Sequence, residues 1–197
     1  MPSPLDSAPT DRLADTSVPI HPLLAARWSP RAFDPTAELA HEDLTALLEA
    51  ARWAPTWGRR QPVRFVVGVR GDATFATLAD LLRRGNGYAK AASALILLCA
   101  DQGDDDKTAL YSGVDAGAAL ANLSVEAVAR GLIVHPMAGF YPERAVEELA
   151  LPEGLRPLMV IAVGRLGDYA EVPPEIAERD RLPRERLPLS EIVLNRG

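Results

Sequence analysis

Two pairs of arginines, one near each end of the chain, are the side chains best suited to bind an anion. Arg27 and Arg31 flank Ser29, and Arg184 and Arg186 stand two residues apart. Guanidinium forks match phosphate oxygens, and the Ser29 hydroxyl offers one more hydrogen bond. In an extended segment the second pair points to one side. Taken alone, each pair is better explained as solvated surface charge, so its meaning depends on what lies near it.

Two loops have the composition to lie against a planar ligand. Residues 54–62 follow a predicted helix and hold Arg59, Arg60 and Gln61, although an ordinary turn is the simpler interpretation. Residues 135–141 precede a predicted helix that begins at Pro142, and Gly139 permits close backbone approach there. A lone His in such a loop is more typical of a structural hydrogen bond than of catalysis.

The motifs of several enzyme classes are missing from the sequence. There is no Walker loop, no dinucleotide glycine fingerprint and no Gly-x-Ser-x-Gly. Cys and His residues do not have metal-ligand spacing either, so we predict no metal site. With no obvious nucleophile or acid–base apparatus of a hydrolase, we favour a bound cofactor that supplies the chemistry.

Composition restricts the class of protein. The 197 residues are 48% hydrophobic, which suits one globular domain. A net charge of -6 argues against nucleic acid as a partner. The one cysteine, Cys99, cannot form an internal disulfide, which fits a reducing compartment, so we predict a cytoplasmic protein. No apolar run reaches the ~20 residues that a membrane span needs, and residues 1–19 lack a signal core and are predicted to be a flexible arm.

Apolar spacing predicts an α+β fold in which helices and strands interleave. Helices are expected over residues 21–27, 42–53, 74–84 and 112–130, and a further helix is expected to begin at Pro142. Strands are expected over residues 63–69, 94–100 and 157–164, and a short strand is expected before His135. Residues 101–107 are predicted to be an acidic surface loop. Small residues at 116–121 either pack under the sheet or form a subunit interface. Residues 171–186 are rich in Pro and charge and are expected to lie along another surface, and residues 190–194 form a last strand for a sheet edge, of this chain or of a partner.

Taken together and in order, these motifs resemble the FMN-dependent nitroreductase family over roughly residues 21–194. The matching stretches are Arg27-x-Ser29-x-Arg31-x-Phe33, residues 47–56 with Gln61-Pro62, Gly85-Asn86 with Tyr88, the helix at 115–131, Pro136-x-x-Gly139-Phe140, Leu151-Pro152 with residues 160–164, and Arg184-x-Arg186-Leu187-Pro188. The resemblance implies a three-layer fold over residues 20–197, with a central mixed sheet flanked by helices. It also implies a homodimer in which the C-terminal extension, residues 168–197, reaches the partner.

The resemblance implies FMN as cofactor and a ping-pong reaction. NADH or NADPH reduces the flavin, and the flavin then reduces a nitroaromatic compound, a quinone or a related small molecule. Hydride enters and leaves at the flavin N5, so geometry rather than a catalytic side chain sets the rate. Two alternatives stay open: a non-catalytic FMN-binding or sequestering protein of the same fold, and a structural protein whose arginines are merely solvated.

The resemblance also assigns residues to the site. The residues expected to bind the phosphate are Arg27, Ser29, Arg31, Arg184 and Arg186. Other contacts with the cofactor are expected from Trp28, Asn86, Pro136, Met137, Ala138 and Gly139, with a backbone N–H near N5. Pro55, Thr56 and Gln61 are expected to come from the other subunit, and Trp57 and Phe140 are expected at the substrate. Arg59 stands where the family usually has Asn, and Val63 where it usually has Trp. We expect the charge of Arg59 near the flavin to favour anionic acceptors without abolishing FMN binding.

Overall fold

Helices and strands interleave along the chain in this computed structural model, which describes residues 12–194. The elements are α1 (Pro22–Ala26), α2 (His41–Arg52), β1 (Val63–Val69), α3 (Ala73–Asp80), a 3-10 helix (Arg84–Ala91), β2 (Ala94–Asp101), α4 (Asp106–Ala129), β3 (Ile133–Met137), α5 (Pro142–Glu148), β4 (Leu155–Gly164), α6 (Pro174–Arg181) and α7 (Leu189–Ile192). The predicted helices and strands up to residue 164 are all present, with ends shifted by a few residues in most cases.

The four strands form one sheet in the order β1-β2-β4-β3. Each neighbouring pair is antiparallel, so within residues 12–194 the sheet is antiparallel rather than mixed as predicted. β2 and β4 are central, which explains their nearly continuous apolar sequences. β3 is an edge strand, where Pro136 is tolerated because its missing N–H is not needed by a second neighbour.

Side chains of β2 alternate between two separate cores, which confirms the three-layer α+β fold. Leu95, Leu97 and Cys99 pack on the face covered by α3 and α5. Ile96 and Leu98 pack on the opposite face, covered by α2 and α4. Helices therefore cover both sides of the sheet. Burial raises the pKa of Cys99 to about 12, as expected of an inert core thiol.

The long helix α4 begins at Asp106 rather than at residue 112. Asp105 caps it, because its side chain accepts a hydrogen bond from the Thr108 N–H at 3.0 Å. The prediction of an acidic surface loop over residues 101–107 is therefore wrong at its end, where acidic residues open a helix. Gly131, with φ 68°, ends α4 as predicted.

The first half of α4 is buried on one side and open on the other. Ala116 and Ala119 pack in the core shared with α2. Leu110 and Val114 are 65% and 58% exposed, so this side presents apolar side chains one helical turn apart to solvent.

The C-terminal extension folds differently from the prediction. Residues 190–194 were expected to form a strand, but Leu189–Ile192 is a helical turn closed by the bond from Val193 N to Leu189 O. A strand needs a sheet edge, and neither edge of this sheet pairs with the segment, so a local hydrogen bond forms instead. α6 packs against its own chain through the buried Ala177 and Asp180.

Of the predicted N-terminal arm, residues 1–19, the first 11 residues lie outside the described part of the chain. Further along it, Ala14 N donates to Ala25 O at 2.9 Å, and the Arg12 guanidinium donates to Leu182 O at 3.0 Å. The end of the arm thus contacts both α1 and the C-terminal extension. In residues 12–194, no helix combines the length and apolarity that crossing a membrane requires.

Candidate functional site

One cavity of about 420 Å³ joins the two arginine pairs. Arg27 and Arg31 come from the segment after α1, and Arg184 and Arg186 from the segment after α6. Trp28 and Ser29 line the same cavity. The predicted phosphate residues, which lie about 150 positions apart in sequence, therefore form one group.

Two further arginines that the sequence analysis missed also line this arginine cavity. They are Arg12, from the predicted arm, and Arg179, on α6. Asp180 and Glu185 are the acidic side chains among its lining residues, so cations dominate it. The charge of the segment at residues 171–186 is a sequence signal that could have indicated Arg179. Arg12 lies in a stretch without helical or strand periodicity, so the sequence offers no such signal for it.

Asp180 holds Arg31 in place. Its carboxylate is almost fully buried and accepts hydrogen bonds from Arg31 N at 2.6 Å, from Ala32 N at 3.2 Å and from the Tyr169 hydroxyl at 3.1 Å. It also pairs with the Arg31 guanidinium at 3.1 Å. A buried carboxylate is stable only when it is satisfied in this way, so the geometry orients Arg31 through both its backbone and its side chain.

Arg184 lines the arginine cavity and is held there by backbone carbonyls. Its guanidinium donates to the carbonyl oxygens of Arg12, Ala25 and Arg27, the last two at 2.9 Å. Burial, and then the charges of Arg27 and other arginines nearby, lower the pKa of Arg184. Burial, followed by the charge of Arg186, likewise lowers the pKa of Arg27. The arginine cavity is therefore positive and partly desolvated, which are the conditions under which an anion binds strongly.

A second group surrounds the loop at residues 136–140. The Gly139 carbonyl accepts from Arg83 N at 3.0 Å and from the Asn86 amide at 2.8 Å. A Cβ on Gly139 would lie 2.5 Å from the Asn86 amide nitrogen, so the Asn86 side chain or the loop would have to shift to admit one. Ala138 is exposed beside it. Asn86 and Gly139 are thus in contact, with Ala138 beside them.

Two predicted residues of this loop face the core instead. Met137 and Phe140 are 4% and 3% exposed and pack with Leu82 and Leu97. Side chains alternate in an extended segment, so placing residue 138 outside turns residue 137 inward. The alternation stops at the next step, where Phe140 N donates to Ala138 O at 3.1 Å in a tight turn, and the Phe140 side chain lies in the core rather than at the surface.

His135 connects this loop to the arginine cavity. Its Nδ1 lies 2.9 Å from the Pro30 carbonyl oxygen, beside Arg31, and its ring meets Tyr88 edge-on at 5.1 Å. The carbonyl can only accept, so Nδ1 carries a proton. Burial lowers the pKa of His135 in spite of that bond, and burial raises the pKa of Tyr88 to about 12. The arginine cavity and the Gly139 loop thus adjoin through the buried ring of His135 and the half-buried ring of Tyr88.

The loop at residues 54–62 lies at another cavity, of about 410 Å³. Thr56 and Gln61 line it together with apolar residues such as Phe65 and Ala119. Pro55 and Arg59 are exposed on the same loop. None of these residues lines the arginine cavity, so one subunit does not by itself bring the two halves of the predicted site together.

Trp57 has contacts that fix its position on this loop. The backbone N–H of Trp57 donates to the buried Asp115 carboxylate at 2.9 Å. The Trp57 ring stacks on the Tyr111 ring, with 4.8 Å between the ring centroids and 19° between the planes. The Lys107 ammonium lies 5.5 Å from the ring centroid. Trp57 keeps 37% of its surface exposed, so it is ordered and accessible, but it does not line the arginine cavity.

Known proteins resemble this chain along most of its length. A protein of 15.4 kDa from Mycolicibacterium smegmatis, from the ask 5' region and uncharacterized, is 58% identical over 139 residues, which are 66% of this chain and 94% of that protein. The crystal structure of an oxidoreductase containing FMN superposes with a TM-score of 0.85 at 33% identity, covering 93% of this chain and 94% of that one. A candidate nitroreductase in complex with FMN from Desulfovibrio desulfuricans gives a TM-score of 0.74 at 25% identity, covering 92% and 99%. Residues 24–91 and 82–165 match the Nitroreductase family, so this chain is a member of that family.

Proposed function

We propose that this protein is an FMN-dependent oxidoreductase that uses NADH or NADPH to reduce a nitroaromatic compound, a quinone or a related small acceptor. Its family membership and the FMN of its structural neighbours support this proposal. The observation that carries it for this chain is the chemistry of the arginine cavity.

Two unpaired donors in the arginine cavity fit the phosphate group of FMN. The Nε atoms of Arg12 and Arg31 are the buried side-chain polar atoms without a hydrogen-bond partner in residues 12–194. Both arginines line the cavity. A buried donor left unpaired costs about 1–3 kcal/mol, and phosphate oxygens are its natural acceptors. Arg27 and Ser29 add donors at the same place, so the residues present suit a phosphate monoester.

The Gly139 loop would receive the flavin ring. Its backbone is held by Arg83 and Asn86, and the small, exposed Ala138 leaves a flat ring room to approach. Bound FMN supplies two-electron chemistry, in which hydride arrives from the nicotinamide and leaves to the acceptor in separate half-reactions. The loop contributes position rather than proton transfer, because a fixed backbone brings the reacting atoms to a productive distance.

We also propose that two copies of the chain complete the site. Thr56 and Gln61 lie apart from the arginine cavity in one chain, as expected if they serve the partner's flavin. The exposed Leu110 and Val114 on α4 provide apolar surface for such an interface. This arrangement predicts a homodimer, which light scattering after gel filtration measures directly; a monomer that reduces acceptors at full rate would contradict it.

A cytoplasmic location also belongs to the proposal. The one cysteine of the chain is buried in β2 and has no second thiol with which to pair. A protein without disulfides fits a reducing compartment, and such a compartment supplies the nicotinamide donors that the reaction needs.

The first experiment is the visible spectrum of the purified protein, repeated anaerobically with NADH and with NADPH. We expect flavin bands that bleach with one nucleotide and return when a nitroaromatic compound or a quinone is added. Free FMN with the same nucleotide is the control for non-enzymatic reduction. Bands that persist with both nucleotides would favour an FMN-sequestering protein. A colourless protein that takes up no added FMN would refute the cofactor and the proposed function.

A further inference from the structure

The six arginines of the arginine cavity are not equally free to bind an anion. Arg31 is paired with Asp180, and Arg184 is engaged by backbone carbonyls. The Arg27 guanidinium lies 3.4 Å from the Ser29 hydroxyl, and this hydroxyl can itself rotate to donate to a phosphate. Arg12 and Arg31 each keep a buried Nε without a hydrogen-bond partner, but Arg31 already faces the Asp180 carboxylate, whereas a terminal nitrogen of Arg12 donates to the neutral Leu182 carbonyl.

Arg12 is fixed at three points although it belongs to none of the helices α1–α7 or strands β1–β4. Its guanidinium carbon lies 4.5 Å from the centroid of the Trp28 ring, a cation–π contact. Its terminal nitrogen donates to Leu182 O at 3.0 Å. Its own carbonyl accepts from the Arg184 guanidinium. An arginine that is ordered before the ligand arrives loses little side-chain entropy on binding, so these contacts preorganise Arg12.

We infer that Arg12 binds the phosphate of FMN and that Arg184 is the positioning residue that holds Arg12 over it. The inference rests on the proposed function for the identity of the ligand. It assigns a binding role to the N-terminal segment, and it gives Arg184 a role through the backbone of Arg12 rather than on the phosphate. The N-terminal segment, the segment after α1 and the C-terminal extension then close one anion site together.

Arg184 is suited to positioning because its donors reach three stretches of backbone. Ala25 and Arg27 lie at the end of α1, and Arg12 lies in the segment that precedes it. One planar guanidinium with several donors can join such carbonyls, whereas the ammonium of a lysine lacks the fork geometry. Loss of Arg184 would therefore release Arg12 while leaving the Arg12 side chain chemically intact.

Comparison of FMN with riboflavin separates a phosphate ligand from a merely structural arginine. Riboflavin has the same ring and lacks the phosphate. For Arg12→Ala we expect the Kd for FMN to rise about 10- to 100-fold, the worth of one charged hydrogen bond, and the Kd for riboflavin to change less than about twofold. Arg181→Ala is the matched control, since Arg181 is exposed on α6 and does not line the arginine cavity. Equal losses for both flavins, or no loss for FMN, would overturn the role of Arg12.

A double-mutant cycle tests the role of Arg184. Arg184→Ala should weaken FMN binding in the wild-type background and weaken it much less in the Arg12→Ala background, because the two residues act in sequence. Strictly additive losses would refute the positioning role. Arg12→Lys should recover only part of the affinity, since it keeps the charge but not the planar stack on Trp28. If the wild-type chain binds neither flavin, the proposed function itself fails, which is distinct from wild-type binding that Arg12→Ala leaves unchanged.

Discussion

The Asp180 carboxylate binds Arg31 twice, through the backbone N–H at 2.6 Å and through the guanidinium at 3.1 Å. The two residues are 149 positions apart, and this contact joins α6 to the segment that carries the first arginine pair. The C-terminal extension therefore orients an arginine that lines the arginine cavity.

Removal of this charge should weaken both folding and anion binding. Asp180→Asn leaves the Arg31 guanidinium beside an amide, and we expect the free energy of unfolding to fall by about 2–3 kcal/mol. The loss is at the lower end for a broken buried pair because the Arg31 side chain stays 23% exposed. Urea denaturation and the Kd for FMN measure the two effects. Glu178→Gln, an exposed change on the same helix, is the control. Unchanged values for Asp180→Asn would show that the pair contributes nothing.

A methyl group on Gly139 should disturb the loop at residues 136–140, which we propose receives the flavin ring. Gly139→Ala places a carbon 2.5 Å from the Asn86 amide, so the loop or Asn86 must move. A displacement near 1 Å in a site that works by geometry costs on the order of 100-fold in rate. We expect NADH- or NADPH-dependent turnover to fall accordingly while the protein stays folded by circular dichroism. Gly87→Ala, where a Cβ meets nothing within 4 Å, is the matched control. Wild-type turnover in Gly139→Ala would contradict the assigned role of the loop.

The charge of Arg59 should select among acceptors. Arg59 is exposed on the loop at residues 54–62, so its field acts through solvent and is worth about 1 kcal/mol. For Arg59→Asn we expect the preference for para-nitrobenzoate over para-nitrobenzamide, measured as the ratio of kcat/KM, to drop about fivefold at low salt. The effect should shrink at high salt because the charge is screened. Arg60→Asn is the control, since Arg60 faces Asp101 at 3.8 Å. An unchanged ratio would refute the hypothesis.

His135 should make stability depend on pH. Burial lowers its pKa in the folded chain, whereas an unfolded histidine titrates near ~6.5. Below that value the unfolded state binds more protons than the folded state. The contribution of neutral His135 is therefore complete above about pH 6.5 and is lost as the pH falls toward the lower folded pKa.

The test compares the free energy of unfolding at pH 7.5 and pH 5.5. Wild type should lose stability at the lower pH, and His135→Gln should lose less. His41→Gln removes an exposed histidine and should behave as wild type does. An equal pH dependence in wild type and His135→Gln would mean that another group is responsible.

The local elements followed from the sequence because hydrophobic spacing is a short-range property. Residues 42–53 and 63–69 have the periods of a helix and of a strand, and the structure has α2 and β1 there with ends shifted by at most one residue. The Gly139 loop was also predictable, since a glycine followed by a Pro-started helix marks a close backbone approach.

Other features depended on contacts between distant segments. The strand expected at residues 190–194 is a helical turn because strand formation requires a neighbour, and within residues 12–194 no sheet edge pairs with it. Phe140 faces inward because a tight turn, closed by the bond from Phe140 N to Ala138 O, breaks the alternation of side chains after Ala138.

The sequence by itself determined the order of the helices and strands and the two arginine pairs, since spacing and residue type are enough for both. Only the tertiary structure decided that the two pairs share one cavity, that Arg12 joins them and that Arg184 holds backbone instead of facing a ligand freely. A guanidinium binds whatever acceptor the fold brings within about 3 Å, and that neighbour lies more than 150 residues away along the chain.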